Sequence, residues 1–197
     1  MDLTHCIVEH FEESIALLSD CKSRLLQGLI LASHTIANSL MQDGKILACG
    51  NGGSAADAQH FSAELIGRFE RERISLAAIA LTTDSSILTA IANDYEFKKV
   101  FSKQVTALGD RNDVLLAIST SGNSDNVIEA IHAAHEKQMT VIAMTGRNGG
   151  KIAGLLDTDD ILLNVPHMRT ARIQEVHALM IHAICDGIDR MLFGENN

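Results

Sequence analysis

His60 and Glu64 stand four residues apart in a stretch of helical spacing, which puts an imidazole and a carboxylate about 40° apart on one helix face. Gln174 and His182 are eight apart in a second helical stretch, about 80° round and about 12 Å along its axis. Together the four offer the nitrogen and oxygen ligands of a borderline cation such as Zn²⁺. That axial separation is awkward for two ligands of one ion. Either both side chains reach inward to a common point, or two chains contribute. The bland readings are a surface ion pair, worth about a few tenths of a kcal/mol, and a core histidine packed beside Met180, Ile181 and Ile184.

Two other stretches are suited to an anion. Gly50-Asn51-Gly52-Gly53-Ser54 and Ser119-Thr120-Ser121-Gly122-Asn123-Ser124 each lie between an apolar run and a helical stretch. Free N–H groups at a helix N-terminus attract negative charge, glycines let the backbone approach closely, and hydroxyls add donors without charge. The same residue types also serve as ordinary turns and caps. The first loop, followed by Ala55, fits a dinucleotide fingerprint as well. That pattern expects an acidic residue about 20 positions on, and the nearest suitable one, Asp84, comes about ten positions too late.

These groups need a scaffold to bring them together. The apolar residues of 3–41 recur at helical spacing and read as two helices separated near 19–22. Short apolar runs at 45–49, 76–81, 113–118, 139–144 and 161–165 read as strands, with helical stretches at 55–67, 85–92, 97–108 and 126–137 between them and a long helix at 170–192. Such alternation predicts an α/β fold: a doubly wound, five-stranded parallel sheet with helices on both faces, plus N-terminal helices and a long C-terminal helix. Ligands then bind at the carboxyl ends of the strands. The expected organisation is one domain, 1–197, with a helical extension at 1–42 and an α/β core at 43–197.

Composition bounds the partners. With 197 residues, 46% hydrophobic and 21% charged, the chain has the make-up of a globular protein, not a disordered one. A net charge of −9 argues against direct nucleic-acid binding through a broad basic surface. No apolar run approaches the roughly 18 residues of a membrane helix, and charged residues interrupt the first segment, so neither a membrane span nor a signal peptide is expected. Cys6, Cys21, Cys49 and Cys185 form no Cys-x-x-Cys pair and read as buried free thiols in a reducing cytoplasm. His177 suits a supporting place behind Gln174, Arg68 can reach an anionic or hydroxylated ligand, and Asn93-Asp94 reads as an Asx turn. His5, His10, His34, His132, His135 and His167 read as surface or capping residues.

Five ordered motifs, 49–54, 60–65, 91–94, 116–124 and 172–177, together resemble the phosphoheptose isomerases, a family of sugar isomerase (SIS) domain proteins. The resemblance implies interconversion of sedoheptulose 7-phosphate and D-glycero-D-manno-heptose 7-phosphate, on the way to ADP-heptose and lipopolysaccharide. It implies a homotetramer with active sites between subunits and a bound Zn²⁺ on His60, Glu64, Gln174 and His182. Glu64 and His182 would be the acid/base pair. Ser119, Thr120, Ser121, Ser124 and Ser54 would hold phosphate, and Asn51, Gly52, Gly53, Asn93, Asp94 and Arg68 would contact the sugar. Ile74 and Ala77 stand where the family usually carries prolines. The DnaA initiator-associating protein, a binding protein, is similar over the same length and supplies the alternative function. Glu64, Ser121 and both histidines favour the enzyme.

Overall fold

The chain runs α1 (Leu3–Met41), β1 (Ile46–Cys49), α2 (Gly53–Ile66), β2 (Ala78–Ala80), α3 (Ser85–Asp94), a 3-10 turn (Phe97–Lys99), α4 (Ser102–Leu108), β3 (Val114–Ser119), α5 (Asp125–Glu136), β4 (Thr140–Gly146), α6 (Gly150–Ala153), β5 (Ile161–Val165) and α7 (Thr170–Phe193). The computed structural model describes residues 2–195. Neighbouring strands are all parallel, in the order β2-β1-β3-β4-β5, so the doubly wound α/β fold is as expected. The strand order reverses between β1 and β3. Loops leaving two such strands diverge and open a crevice, and here they are the glycine-rich and serine-rich stretches.

The strands are continuous apolar runs because both faces of the sheet are covered. Ile46, Ala48, Leu116 and Met144 face one core, with Ile36 of α1, Phe61 and Leu65 of α2 and Ile181 and Ile184 of α7. Leu47, Cys49, Leu115 and Ala143 face the other, with Val105 of α4 and Val127 and Ile131 of α5. Each fully buried side chain of the size of Phe61 or Ile181 contributes roughly 1.5–3 kcal/mol. That burial seats α2 and α7 in one layer, side by side.

Three expectations need correction. Residues 3–41 form one helix, not two: Cys21 is buried in line with Leu17 and Leu25, and Asp20 pairs with Arg24 one turn on, so the polar stretch at 19–22 is only the outer face of a continuing helix. The stretch 97–108 is broken after its 3-10 turn, where buried Gln104 bonds the carbonyls of Leu81 and Val100. Cys6 is exposed, while Cys21, Cys49 and Cys185 are buried, and all four are free. Among the described residues, no helix is long and apolar enough to cross a membrane.

Candidate functional site

On α2 the face toward the core carries Ala58, Phe61 and Leu65. The neighbouring stripe carries Gly53, Asp57, His60 and Glu64, at helical spacings of four, three and four. His60 Nε2 lies 3.0 Å from Glu64 Oε1 and 3.3 Å from Nε2 of His182 on α7. The two imidazoles meet edge to face with centroids 4.9 Å apart, and the Phe69 ring lies 5.5 Å from that of His182. One ligand atom from each of His60, Glu64 and His182 falls within 4.8 Å of the others. His182 therefore reaches the common point within a single chain.

Gln174 does not. Its side chain lies over the first residue of α2, where a Cβ on Gly53 would come within 2.2 Å of Nε2. Since α7 rises about 12 Å between Gln174 and His182, the fourth expected ligand stands at the opposite end of the α2–α7 contact.

The surroundings of the three converging groups are partly desolvated. Burial pushes the Asp57 carboxyl up to about 6, with His60 acting in the opposite direction, and its Oδ2 has no hydrogen-bond partner among the described residues. Burial likewise pushes the Cys185 thiol up to about 12, with Glu64 and Asp189 adding to the rise. A group that titrates so high stays a thiol at neutral pH, whereas ligation and nucleophilic attack need the thiolate. The C-terminal end of α2 is stapled by Arg73, which donates to the main-chain carbonyls of Glu64 at 2.7 Å and Leu65 at 2.6 Å and pairs with Asp189 of α7 at 3.0 Å.

At the switch point, neither α2 nor α5 has a side chain capping its first turn. Ser124 occupies the N-cap position of α5, yet its hydroxyl bonds Ser119 Oγ at 2.9 Å; Val127 N–H donates to the Ser124 carbonyl, which leaves the N–H groups of Asp125 and Asn126 to a ligand. By contrast, Asp84 caps α3 by accepting from Ile87 N–H, which commits the one carboxylate a dinucleotide reading would have used. The serine loop is braced from behind by the Gly149-Gly150 turn. A Cβ on Gly122, whose φ is +65°, would come within 2.0 Å of Gly149 O. The two loops are joined by Asn51 and Asn126, whose side-chain amides bond reciprocally.

Arg68, Asn93, Asp94 and Ser54 lie at helix ends. Arg68 follows the end of α2 and pairs with Glu72. Asn93 and Asp94 are the last two residues of α3, within the helix and not in an Asx turn, and bond each other at 2.8 Å. Ser54 is buried in the first turn of α2. His177 does not support Gln174: it is fully buried and contacts the main-chain oxygen of Thr145 at 3.0 Å. His135 is no simple surface residue, since it pairs with buried Asp160, which also accepts from Val141 and Asp157 N–H at the opposite end of the sheet. Sequence reasoning missed Asp57, Asn126 and the Gly149-Gly150 brace, while Cys185 is the buried free thiol expected. Only Asp57 had a signal, its place one turn before His60 on the same stripe.

A family model described as SIS domain matches residues 9–146. The chain is 63% identical over 195 residues to a phosphoheptose isomerase of Laribacter hongkongensis, an alignment spanning 98% of this chain and 99% of the relative. It is 64% identical over 186 residues to the Neisseria meningitidis phosphoheptose isomerase, 94% of each chain. The solved phosphoheptose isomerase of Neisseria gonorrhoeae is similar with a TM-score of 0.91 at 60% identity, covering 95% of this chain and 98% of that one. That of Francisella tularensis has a TM-score of 0.94 at 44% identity, covering 96% and 100%.

Proposed function

The chain belongs to the SIS-domain family, among its phosphoheptose isomerases, and on that premise we propose that it interconverts D-sedoheptulose 7-phosphate and D-glycero-D-manno-heptose 7-phosphate, the first step toward ADP-heptose and the lipopolysaccharide core. The observation that carries the reading is the meeting of a carboxylate and an imidazole, Glu64 and His182, around His60, in the layer whose helix α2 begins at an uncapped N-terminus on the switch point. Matches over nearly the whole chain to phosphoheptose isomerases leave the initiator-binding alternative unfavoured.

An aldose–ketose exchange moves one hydrogen between C1 and C2 through an enediolate. Glu64 takes the carbon-bound proton and returns it to the neighbouring carbon, while His182 moves the proton between the hydroxyl and carbonyl oxygens, each role worth about 10²–10⁴ in rate. Ser119, Thr120, Ser121, Ser124 and Ser54, with the N–H groups of both loops, anchor the phosphate. Asn51, Gly52, Gly53, Arg68, Asn93 and Asp94 are assigned to the sugar. Anchoring the far end of the substrate fixes the first two carbons against the acid and base.

Two imidazoles and a carboxylate whose ligand atoms lie within 4.8 Å of one another fit Zn²⁺ in kind and number, with room for a fourth donor. His60, Glu64 and His182 of one chain would hold the ion, and Gln174 of the partner subunit would complete the set. When bound it polarises the substrate carbonyl as a Lewis acid. A homotetramer with sites between subunits agrees with the position of Gln174 over Gly53, and with the exposed apolar stripe of Ile7, Phe11 and Ile15 on α1. The reading puts the protein in the cytoplasm, where its free thiols stay reduced.

Incubating the purified protein with sedoheptulose 7-phosphate, with and without a chelator, and following the aldose by NMR tests the assignment. Turnover that falls on chelation supports both activity and metal. Absence of any aldose product from metal-replete enzyme refutes the function.

A further inference from the structure

Asp57 is the member of the α2 stripe without an assigned task, although it sits between Gly53 and His60 and shares their face. Its Oδ2 is buried and has no partner among the described residues. A buried carboxylate oxygen left unpaired disfavours the folded state, so its position asks for a function rather than a contribution to stability. Helical side chains lean toward the N-terminus of their helix. That lean directs a residue at position 60 toward the turn that carries Asp57, as it directs Glu64 toward His60.

His60 turns Nε2 toward Glu64 and His182. If that nitrogen is a ligand, the ring must be held through Nδ1, and metal-bound imidazoles almost always donate their second N–H to a carboxylate, a carbonyl or water. Asp57, three residues back, is the carboxylate at the right spacing. We infer that Asp57 is a positioning residue that accepts the Nδ1–H of His60, fixing the ring so that the Nε2 lone pair points at the site shared with Glu64 and His182. The inference rests on the metal reading of that site. The bond is not formed in this structure.

The test is zinc affinity of the full-length protein, measured by competition with a chromogenic chelator on wild type, Asp57→Ala and Asp57→Asn, with thermal melts of the zinc-free proteins. Asp57→Ala should weaken zinc binding about 10- to 100-fold and Asp57→Asn, which keeps a neutral acceptor, less. The zinc-free melting temperature of Asp57→Ala should equal or exceed that of wild type. Unchanged zinc affinity in Asp57→Ala overturns the inference, and so does a lowered melting temperature with affinity intact, which would mark Asp57 as structural. Should either variant fail to fold, a crystal structure of zinc-loaded wild type decides: Asp57 Oδ to His60 Nδ1 within about 3.2 Å is expected, and a separation beyond hydrogen-bonding distance overturns it. A wild type that takes up no zinc at all instead refutes the metal reading, and the inference with it.

Discussion

The side-chain amides of Asn51 and Asn126 exchange two hydrogen bonds of 2.8 Å each, tying the loop after β1 to the first turn of α5. Asn126 is buried, while half-buried Asn51 keeps a second N–H and a second oxygen lone pair for the sugar. The pair sets the spacing of the two loops assigned to phosphate. Asn126→Ala removes both bonds and should destabilise the fold by about 1–3 kcal/mol in a denaturant titration. Asn126→Asp is close to isosteric, but it cannot donate to Asn51 and adds a negative charge under the anion site. It should raise KM for sedoheptulose 7-phosphate more than Asn126→Ala does, with a smaller effect on kcat. Equal KM values in the two variants would remove the phosphate from this crevice.

Glu64→Gln keeps the shape of the side chain and removes the base. Turnover should fall by about 10²–10⁴ while the circular dichroism spectrum stays that of wild type. Because the base also exchanges the substrate's carbon-bound hydrogen with solvent, deuterium incorporation from D₂O should fall in step with turnover. Exchange at the wild-type rate in Glu64→Gln would assign proton abstraction to another group.

The sheet was legible because strands covered on both faces must be continuous apolar runs, and Ile46 to Cys49 or Val114 to Ile118 can hardly be anything else. The continuity of α1 was not: Ser19, Asp20 and Lys22 look like a break until Cys21 is seen to be buried among Leu17 and Leu25. His60 and Glu64 were legible from spacing within one helix. That His182 joins them while Gln174 does not depends on how α7 lies along α2, and no local pattern encodes that. Asn126 carries no sequence signal because its partner, Asn51, lies 75 residues away.

Arg73 and Asp189 form a buried ion pair, with side chains 1% and 4% exposed, and the same guanidinium holds the carbonyl of Glu64. Removing the carboxylate strands a charge in the interior. Asp189→Ala should therefore destabilise the protein by about 3–5 kcal/mol, read as a lowered denaturation midpoint. Because the staple also fixes the turn that carries Glu64, kcat measured well below the melting temperature should fall with little change in KM. A large stability loss with kcat untouched would confine the pair to folding.

His177 is fully buried, and burial depresses its pKa to about 4, against a smaller opposing effect of the contact with Thr145. The folded state therefore holds a neutral ring at pH values where the unfolded chain, titrating near 6.5, already carries a proton. Stability from this source is complete above about pH 6.5, declines as the pH drops through the interval, and stops declining below about pH 4, where the folded protein takes up the proton too. At about 1.4 kcal/mol per unit the whole interval amounts to about 3 kcal/mol. Since its Nε2 lies 3.0 Å from Thr145 O, the neutral ring donates from that nitrogen. Gln at this position can place an N–H in the same direction without titrating. His177→Gln should therefore show a flatter dependence of melting temperature on pH between about 6.5 and 4 than wild type, whatever its absolute stability. Parallel curves for the two proteins would mean that His177 does not resist protonation in the fold.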